Sequence, residues 1–215
     1  MTASASNDLR DFRSALRNRL IAAREALPAA EHARLSREVE RHLQPLLEAL
    51  KPAVLAFCWP FRGEFDARLL VSERRPGGLR ACLPVVRDNA SPLEFREWAP
   101  ESEMIEDRYG IHIPARGAAL RPDAILMPLN GFDEAGYRLG YGGGYFDRSL
   151  AALSPRPLAV GVGFELARVP SIRPQAHDLP MDFVVTESGI FQVEAGRLQP
   201  RNMQYAGFFV SSQLA

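Results

Sequence analysis

Lysine is almost missing from this chain. Of its 26 basic residues only Lys51 is a lysine and the rest are arginine, so chemistry that requires a lysine, a Schiff base or a Walker A phosphate loop among them, has one candidate. An excess of charge of either sign is also missing. The 26 basic and 26 acidic residues cancel without an extended run of one sign, which removes bulk attraction to nucleic acid or anionic membrane. No apolar stretch reaches the roughly 18 uninterrupted residues of a membrane span. The opening "MTASASNDLRDFRSALRNRL" lacks the apolar centre of a secretion signal, and Asp8 and Asp11 speak against a transit peptide. Cysteine is scarce: Cys58 and Cys82 fall in apolar runs read as strands, which suits buried thiols in a reducing compartment better than a secreted disulfide. Repeats and low-complexity tracts are absent. The expectation is a soluble, cytoplasmic monomer that engages neither membrane nor nucleic acid.

What remains is a 215-residue chain with 47% hydrophobic residues, enough for one domain with a substantial core. Residues 7–50 read as a helical N-terminal segment, 51–200 as an α/β core and 201–215 as a tail. Leu9, Phe12, Leu16, Leu20, Ala23 and Leu27 recur at steps of three and four, the stripe of an amphipathic helix. Arg10, Arg13, Arg17 and Arg24 form a second stripe beside it, and on spacing alone they would snorkel along the edge of the apolar face. After Pro28 a second helical pattern runs through Leu35, Val39, Leu43, Leu46 and Leu50, with Pro45 expected to break or kink it.

Short apolar runs then take over: "AVLAFCW" (53–59), "LRACLPVV" (79–86), "AILMPL" (124–129), "PLAVGVGF" (157–164) and "DFVVTE" (182–187). Most lack strict alternation, which predicts strands covered on both faces. Helical stretches at 66–75 and 144–153 lie between them. The predicted architecture is therefore a largely parallel sheet flanked by helices. "PLEFREW" (92–98) alternates and predicts an antiparallel strand, and 190–199 predicts a terminal hairpin turning at Glu194-Ala195-Gly196.

One motif stands apart, "RLGYGGGYFDR" (138–148). It follows a buried strand and leads into a helix, the setting in which bare backbone amides and a helix N-terminus can cradle an anion. The last glycine is followed by Tyr145, Phe146 and Asp147, so the loop is no Walker A motif, and its spacing does not satisfy GxGxxG. Two readings stay open on the glycines alone: a strand-to-helix turn, or a phosphate cradle. Arg138 and Arg148 could fork onto phosphate oxygens. Asp147 could hold Mg²⁺, a hard cation that takes carboxylate and phosphate oxygens together, or could simply complement the helix dipole.

The stretch "FDEAGYRLGYGGGYFDR" (132–148) closely resembles the signature of the 5-formyltetrahydrofolate cyclo-ligase family. The segments "RSALR" (13–17), "WPFRGEFD" (59–66) and "HDLPMDFVVTE" (177–187) match it as well, in the same order, so the resemblance spans most of the chain. It implies an α/β sheet sandwiched between helices. It also implies an enzyme that closes 5-formyltetrahydrofolate to 5,10-methenyltetrahydrofolate with ATP as co-substrate and Mg²⁺, releasing ADP and phosphate, so that a reduced folate and ATP are its partners. Carried over position by position, the ATP contacts are Arg13, Arg17, Arg138, Gly140, Tyr141, Gly142, Gly143, Gly144, Tyr145 and Phe146. The metal carboxylates are Asp147 and Asp178, the folate contacts Trp59, Glu64 and Tyr145, and the catalytic group Arg138, Tyr145 and Asp147.

Two departures accompany the resemblance. Arg13 stands where the family usually has lysine, which keeps the charge but replaces a point charge by a fork. The segment "PLNGFD" (128–133) lacks the small apolar residues common there. Taken without the family, Glu64 reads as a solvated loop residue and Trp59 and Phe61 as core, while His32, His42, His112 and His177 read as structural. The rival functions are a sugar-phosphate or acyl-transfer enzyme on a similar scaffold, and a nucleotide- or RNA-binding module using the arginine stripe.

Overall fold

The apolar runs without alternation become the middle of a sheet that is buried on both sides. The computed structural model describes residues 3–202, with side chains from Asn7 onward; most of the expected tail lies outside the described residues. Two helices open the chain, α1 (Ala3–Glu25) and α2 (Ala29–Leu50). They are followed by β1 (Val54–Ala56), α3 (Arg68–Arg74), β2 (Arg80–Val85), β3 (Glu94–Trp98), the hairpin β4 (Met104–Glu106) and β5 (His112–Pro114), and then β6 (Ala119–Leu120), β7 (Ala124–Pro128), β8 (Gly131–Asp133) and β9 (Arg138–Leu139). The chain continues through α4 (Tyr145–Ala152), β10 (Leu158–Val162), β11 (Arg168–Val169), β12 (Phe183–Thr186), β13 (Gly189–Glu194) and β14 (Arg197–Arg201).

Among the described residues, nine strands form the main sheet in the order β14-β13-β12-β10-β7-β1-β2-β3-β6. Its centre, from β12 to β2, is parallel, and both edges are antiparallel, as the strand patterns predict. Successive residues explain the missing alternation. Leu55, Leu126 and Val160 join the core under α2, while Ala56, Ile125 and Ala159 join the opposite core, to which Leu150 of α4 belongs. The terminal hairpin turns at Ala195 and Gly196, both with positive φ (47° and 71°), the backbone that the right-handed twist of paired strands demands.

A smaller sheet, β11-β8-β9, carries the strand that leads into the glycine loop. Leu16 and Leu20 of α1 pack with Leu139, Val169 and Ile172 against it. That contact fixes which face of α1 looks at the loop. The reversal in strand order lies between β1 and β7: β2 is added on one side of β1 and β7 on the other, which opens a crevice beyond the carboxyl ends of these strands.

Several expectations are corrected. Pro45 does not break α2, which continues to Leu50, because Leu43, Leu46 and Leu47 around it are buried. Each contributes about 1.5–3 kcal/mol, more in sum than the roughly 3 kcal/mol lost to an interior proline. Ala23 is exposed, and Ile21 and Arg24 occupy the buried face instead. Cys58 lies beyond the end of β1, half-buried in a loop; Cys82 is the buried strand cysteine. The hairpin β4–β5 and the small sheet are additions that no periodicity in the sequence predicts.

Candidate active site

A cavity of about 850 Å³ opens at the crevice, lined by Cys58 and Trp59 after β1, Pro84 of β2 and Pro128 of β7. Its size suits a drug-sized or cofactor-sized ligand. α1 and the glycine loop form one wall. The loop after β1 and the β4–β5 hairpin form another.

The first wall is held by charge. Arg13 reaches across 165 positions of sequence to Asp178 with a two-pronged contact, Nη1 to Oδ2 at 2.8 Å and Nη2 to Oδ1 at 3.2 Å. The Gln175 amide also donates to Asp178 Oδ2, at 2.7 Å. Burial acts to raise the Asp178 pKa, but the Arg13 and Gln175 hydrogen bonds, with the charges of Arg13 and His177, together hold the carboxyl below its ordinary value. One turn along α1, Arg17 Nε donates to the carbonyl of Gly140 at 2.6 Å. The loop can take this path because Gly142 and Gly144 have φ of 99° and 63°, in the left-handed region that side chains disfavour. Gly144 is the residue from which α4 starts.

Behind the loop, Arg138 is 9% exposed, with Nη2 4.0 Å from Asp147 Oδ2, and its guanidinium lies over the Phe146 ring, 4.9 Å from the centroid. Burial disfavours its charge, and the neighbouring Asp147 offsets part of that. Asp147 stands in the first turn of α4 and accepts the Leu179 amide at 3.1 Å. That bond ties it to the residue beside Asp178, so the two carboxylates belong to adjoining segments.

Glu64 marks the junction of the walls. It is 6% exposed, yet both its oxygens are occupied: Oε1 accepts the Tyr141 hydroxyl at 2.8 Å and Oε2 accepts the Phe61 amide at 3.1 Å. Burial raises its pKa, partly countered by Arg24 and by the Tyr141 hydrogen bond. A carboxylate has about four lone-pair sites, so two remain for a ligand's N–H groups. Burial pushes the nearby Cys58 thiol far up, which leaves it a poor nucleophile at neutral pH.

The second wall is aromatic. The Trp59 and His112 rings stack with centroids 5.2 Å apart and planes at 20°, and Arg68 covers Trp59 at 4.3 Å. Phe61 tilts against Tyr141 at 6.0 Å. Tyr109, on the β4–β5 connection, meets the Tyr145 hydroxyl at 2.9 Å, and Arg148 lies over the Tyr145 ring.

Comparison with known proteins fits this arrangement. A family model described as the 5-formyltetrahydrofolate cyclo-ligase family matches residues 10–187. The chain belongs to that family. It is similar to the 5-formyltetrahydrofolate cyclo-ligase of Escherichia coli strain K12, with 28% identity over 176 residues, 79% of this chain and 97% of the relative. The Mycolicibacterium smegmatis cyclo-ligase is 30% identical over 189 residues, 81% of this chain and 93% of the relative. An Aquifex aeolicus 5,10-methenyltetrahydrofolate synthetase structure superposes with a TM-score of 0.72 at 30% identity, over 90% of this chain and 99% of the other.

Every position carried over from the cyclo-ligase signature lines the same cavity: Arg13, Arg17, Trp59, Glu64, Arg138, Gly140 through Asp147, and Asp178. Arg148 is not among the lining residues; it donates to the Asn89 carbonyl at 3.1 Å instead. Phe61 lines the cavity rather than the core, and so does His112. His32 and His42 do bond to backbone carbonyls, of Gly63 and Thr186. Sequence reasoning missed Tyr109, Gln175 and Arg24. Arg24 was visible as a member of the arginine stripe, whereas nothing local marks Tyr109 as a neighbour of Tyr145.

Proposed function

We propose that this cyclo-ligase family member closes 5-formyltetrahydrofolate to 5,10-methenyltetrahydrofolate by phosphorylating the formyl oxygen with ATP. The observation that carries the reading is a single cavity with a guanidinium-and-amide wall facing an aromatic wall, and a buried carboxylate where they meet. The first suits a triphosphate, the second a planar folate ring, and Glu64 has lone pairs for its N–H groups.

An N-formyl amide is a weak electrophile, and its oxygen is a poor leaving group. In the proposed path that oxygen attacks the γ-phosphorus, the bond to the bridging oxygen breaks and ADP departs. N10 of the folate then attacks the formyl carbon, the carbon–oxygen bond breaks, inorganic phosphate leaves, and the N10 proton is lost to solvent. Such a transfer asks a protein for positioning and charge neutralisation. No lysine or serine nucleophile is needed, in keeping with a chain that has one lysine.

Arg138 and Arg17 are proposed to flank the phosphates, with the glycine-loop amides and the N-terminus of α4 facing them. Arg13, now forked on Asp178, has the geometry to grip a phosphate in the same two-pronged way. Asp147 and Asp178 are the hard oxygen donors that would hold Mg²⁺, which neutralises charge on the transferred group. Among the described residues no three His, Cys, Asp or Glu side chains cluster as a metal cage, and Mg²⁺ held mainly through phosphate oxygens asks for only one or two carboxylates.

The test is to follow the near-ultraviolet absorbance of the methenyl product with 5-formyltetrahydrofolate, Mg²⁺ and the protein, with and without ATP. Product that forms only with ATP, matched by phosphate release, is the expected result. Product without ATP would remove the phosphoryl step, and no product would overturn the function.

A further inference from the structure

One buried, fully hydrogen-bonded charged group beside the cavity is required by no phosphate or folate contact. Arg24 is 4% exposed and spends its donors on three separate segments. Nε donates to the Arg62 carbonyl at 2.9 Å, Nη1 to the Leu129 carbonyl at 3.0 Å and Nη2 to the Tyr141 hydroxyl at 3.3 Å. The same Nη2 lies 3.8 Å from Glu64 Oε1, whose side chain is 4% exposed. One guanidinium thus joins the turn that carries Glu64, the end of the segment following β7, and the glycine loop. A buried charge is retained only when it is paired and hydrogen-bonded, and here the pairing runs to residues of both walls.

We propose that Arg24 is a positioning residue for the reaction: it holds the Glu64 carboxylate and the Tyr141 end of the glycine loop in one geometry, so that the folate-facing and phosphate-facing walls are set by a single side chain. The proposal rests on the function assigned above. Arg24 acts through Glu64 and Tyr141 and touches neither substrate. Its planar fork is essential to the role, because a lysine ammonium is a point charge and cannot span three acceptors at fixed angles.

The charged and titratable groups acting on Glu64 come from three directions, Arg24 of α1, Tyr141 of the glycine loop and Arg138 of β9, and the Glu64 charge in turn helps raise the Cys58 thiol after β1. Glu64 must be ionised to accept N–H groups of the folate ring at both oxygens. Activity on folate therefore falls as pH drops through the Glu64 pKa, and removing the Arg24 charge raises that pKa and moves the acid limb to higher pH.

The experiment measures kcat and KM for each substrate and the pH profile of kcat/KM for 5-formyltetrahydrofolate. It uses the full chain, Arg24→Lys, Arg24→Gln, Tyr141→Phe, Glu64→Gln and the double variant Arg24→Gln/Glu64→Gln, each normalised to its folded fraction by circular dichroism. Wild-type turnover first establishes the reaction, so its absence would count against the function and not specifically against this role. Arg24→Lys is expected to raise the folate KM roughly tenfold, the effect of losing a charge-assisted hydrogen bond, with the acid limb near its wild-type position. Arg24→Gln also moves the limb to higher pH. Tyr141→Phe gives a smaller loss in the same direction, and the Arg24→Gln effect shrinks in the Glu64→Gln background because the two act as a unit. Losses that merely track the folded fraction, with the pH profile unmoved and the double variant additive, would overturn the proposal. If Arg24→Gln alone does not fold, the double variant, which carries no unpaired buried charge, is compared with Glu64→Gln. A further loss no larger than that of Tyr141→Phe supports the role, and a larger one overturns it.

Discussion

The two walls of the cavity are built by different means. On the α1 side, charged groups are over-determined: Arg24 has three hydrogen-bond acceptors and Asp178 is gripped twice by Arg13 and once by Gln175, while Glu64, at the junction, uses both oxygens. On the hairpin side, Trp59, His112 and Tyr109 carry ring stacking, the Arg68 guanidinium over Trp59 and one side-chain contact between hydroxyls, and Tyr109 is exposed. The bonds that hold Arg24, Glu64 and Tyr141 are already made without a ligand, the preorganisation that electrostatic stabilisation asks for, whereas the Arg13–Asp178 fork has to open for Arg13 to take a phosphate as proposed. The second is a surface that a ligand ring can complete by stacking, worth about 0.5–1.5 kcal/mol per aromatic pair. Under the proposed function, large catalytic effects are expected from the first wall and graded affinity effects from the second.

The contrast yields a ranked set of outcomes. Arg138→Ala removes a mostly buried cation next to the glycine loop and is expected to lower kcat/KM for ATP by roughly 10- to 100-fold, the equivalent of about 1.5–3 kcal/mol. Initial-rate kinetics on a folded variant check this, and unchanged rates would take Arg138 out of the site. Next, Glu64→Gln is expected to raise the folate KM about tenfold with the ATP KM nearly constant, since Glu64 lines the cavity where the two walls meet. The reverse pattern in steady-state kinetics would assign it to the nucleotide side.

Asp147→Asn is expected to weaken the Mg²⁺ requirement several-fold in the metal titration of activity, with the fold intact by circular dichroism. An unaltered titration would reject it as a ligand. Trp59→Leu, on the second wall, is predicted to raise the folate KM only a few-fold, in line with about 1 kcal/mol of stacking. A loss as large as that of Arg138→Ala would erase the distinction between the walls.

A fifth outcome concerns stability. The folded-state pKa of Asp178 is depressed, so its stabilising contribution is present above the unfolded carboxyl value of about 3.9 and is lost as pH falls through the lower folded value. Asp178→Asn is expected to be less stable than the parent at neutral pH by about 1 kcal/mol, a figure discounted for solvent screening at the cavity edge. That gap closes in acid. Thermal melts from pH 7 to pH 3 measure it, and a gap independent of pH would show that the ion pair contributes nothing.

The first wall was legible in part. Arg13 and Arg17 stand one helical turn apart in a stripe, and the glycine run declares a backbone free of Cβ atoms, so the elements proposed to face phosphate each announce themselves within a window of a dozen residues. Arg24 was misjudged as an edge residue because helical periodicity places it within the same stripe but cannot say what lies opposite. The second wall was largely silent. Tyr109 and His112 sit in a short hairpin whose strands are three residues each, too brief for a periodic signal, and their partners Tyr145 and Trp59 are remote in sequence.

Local order followed from the residues themselves: two amphipathic helices, parallel strands buried on both faces, a hairpin at Ala195-Gly196 and a bare loop leading into α4. These depend on backbone propensity and on the period of apolar side chains, which act over a few neighbours. Folding in three dimensions alone decided that Arg13 meets Asp178, that Arg24 joins Glu64 to Tyr141, and that an aromatic hairpin faces the glycine loop. Such pairings depend on which surfaces α1 and the strand ends bury together, and apolar burial is non-directional until the whole sheet has formed.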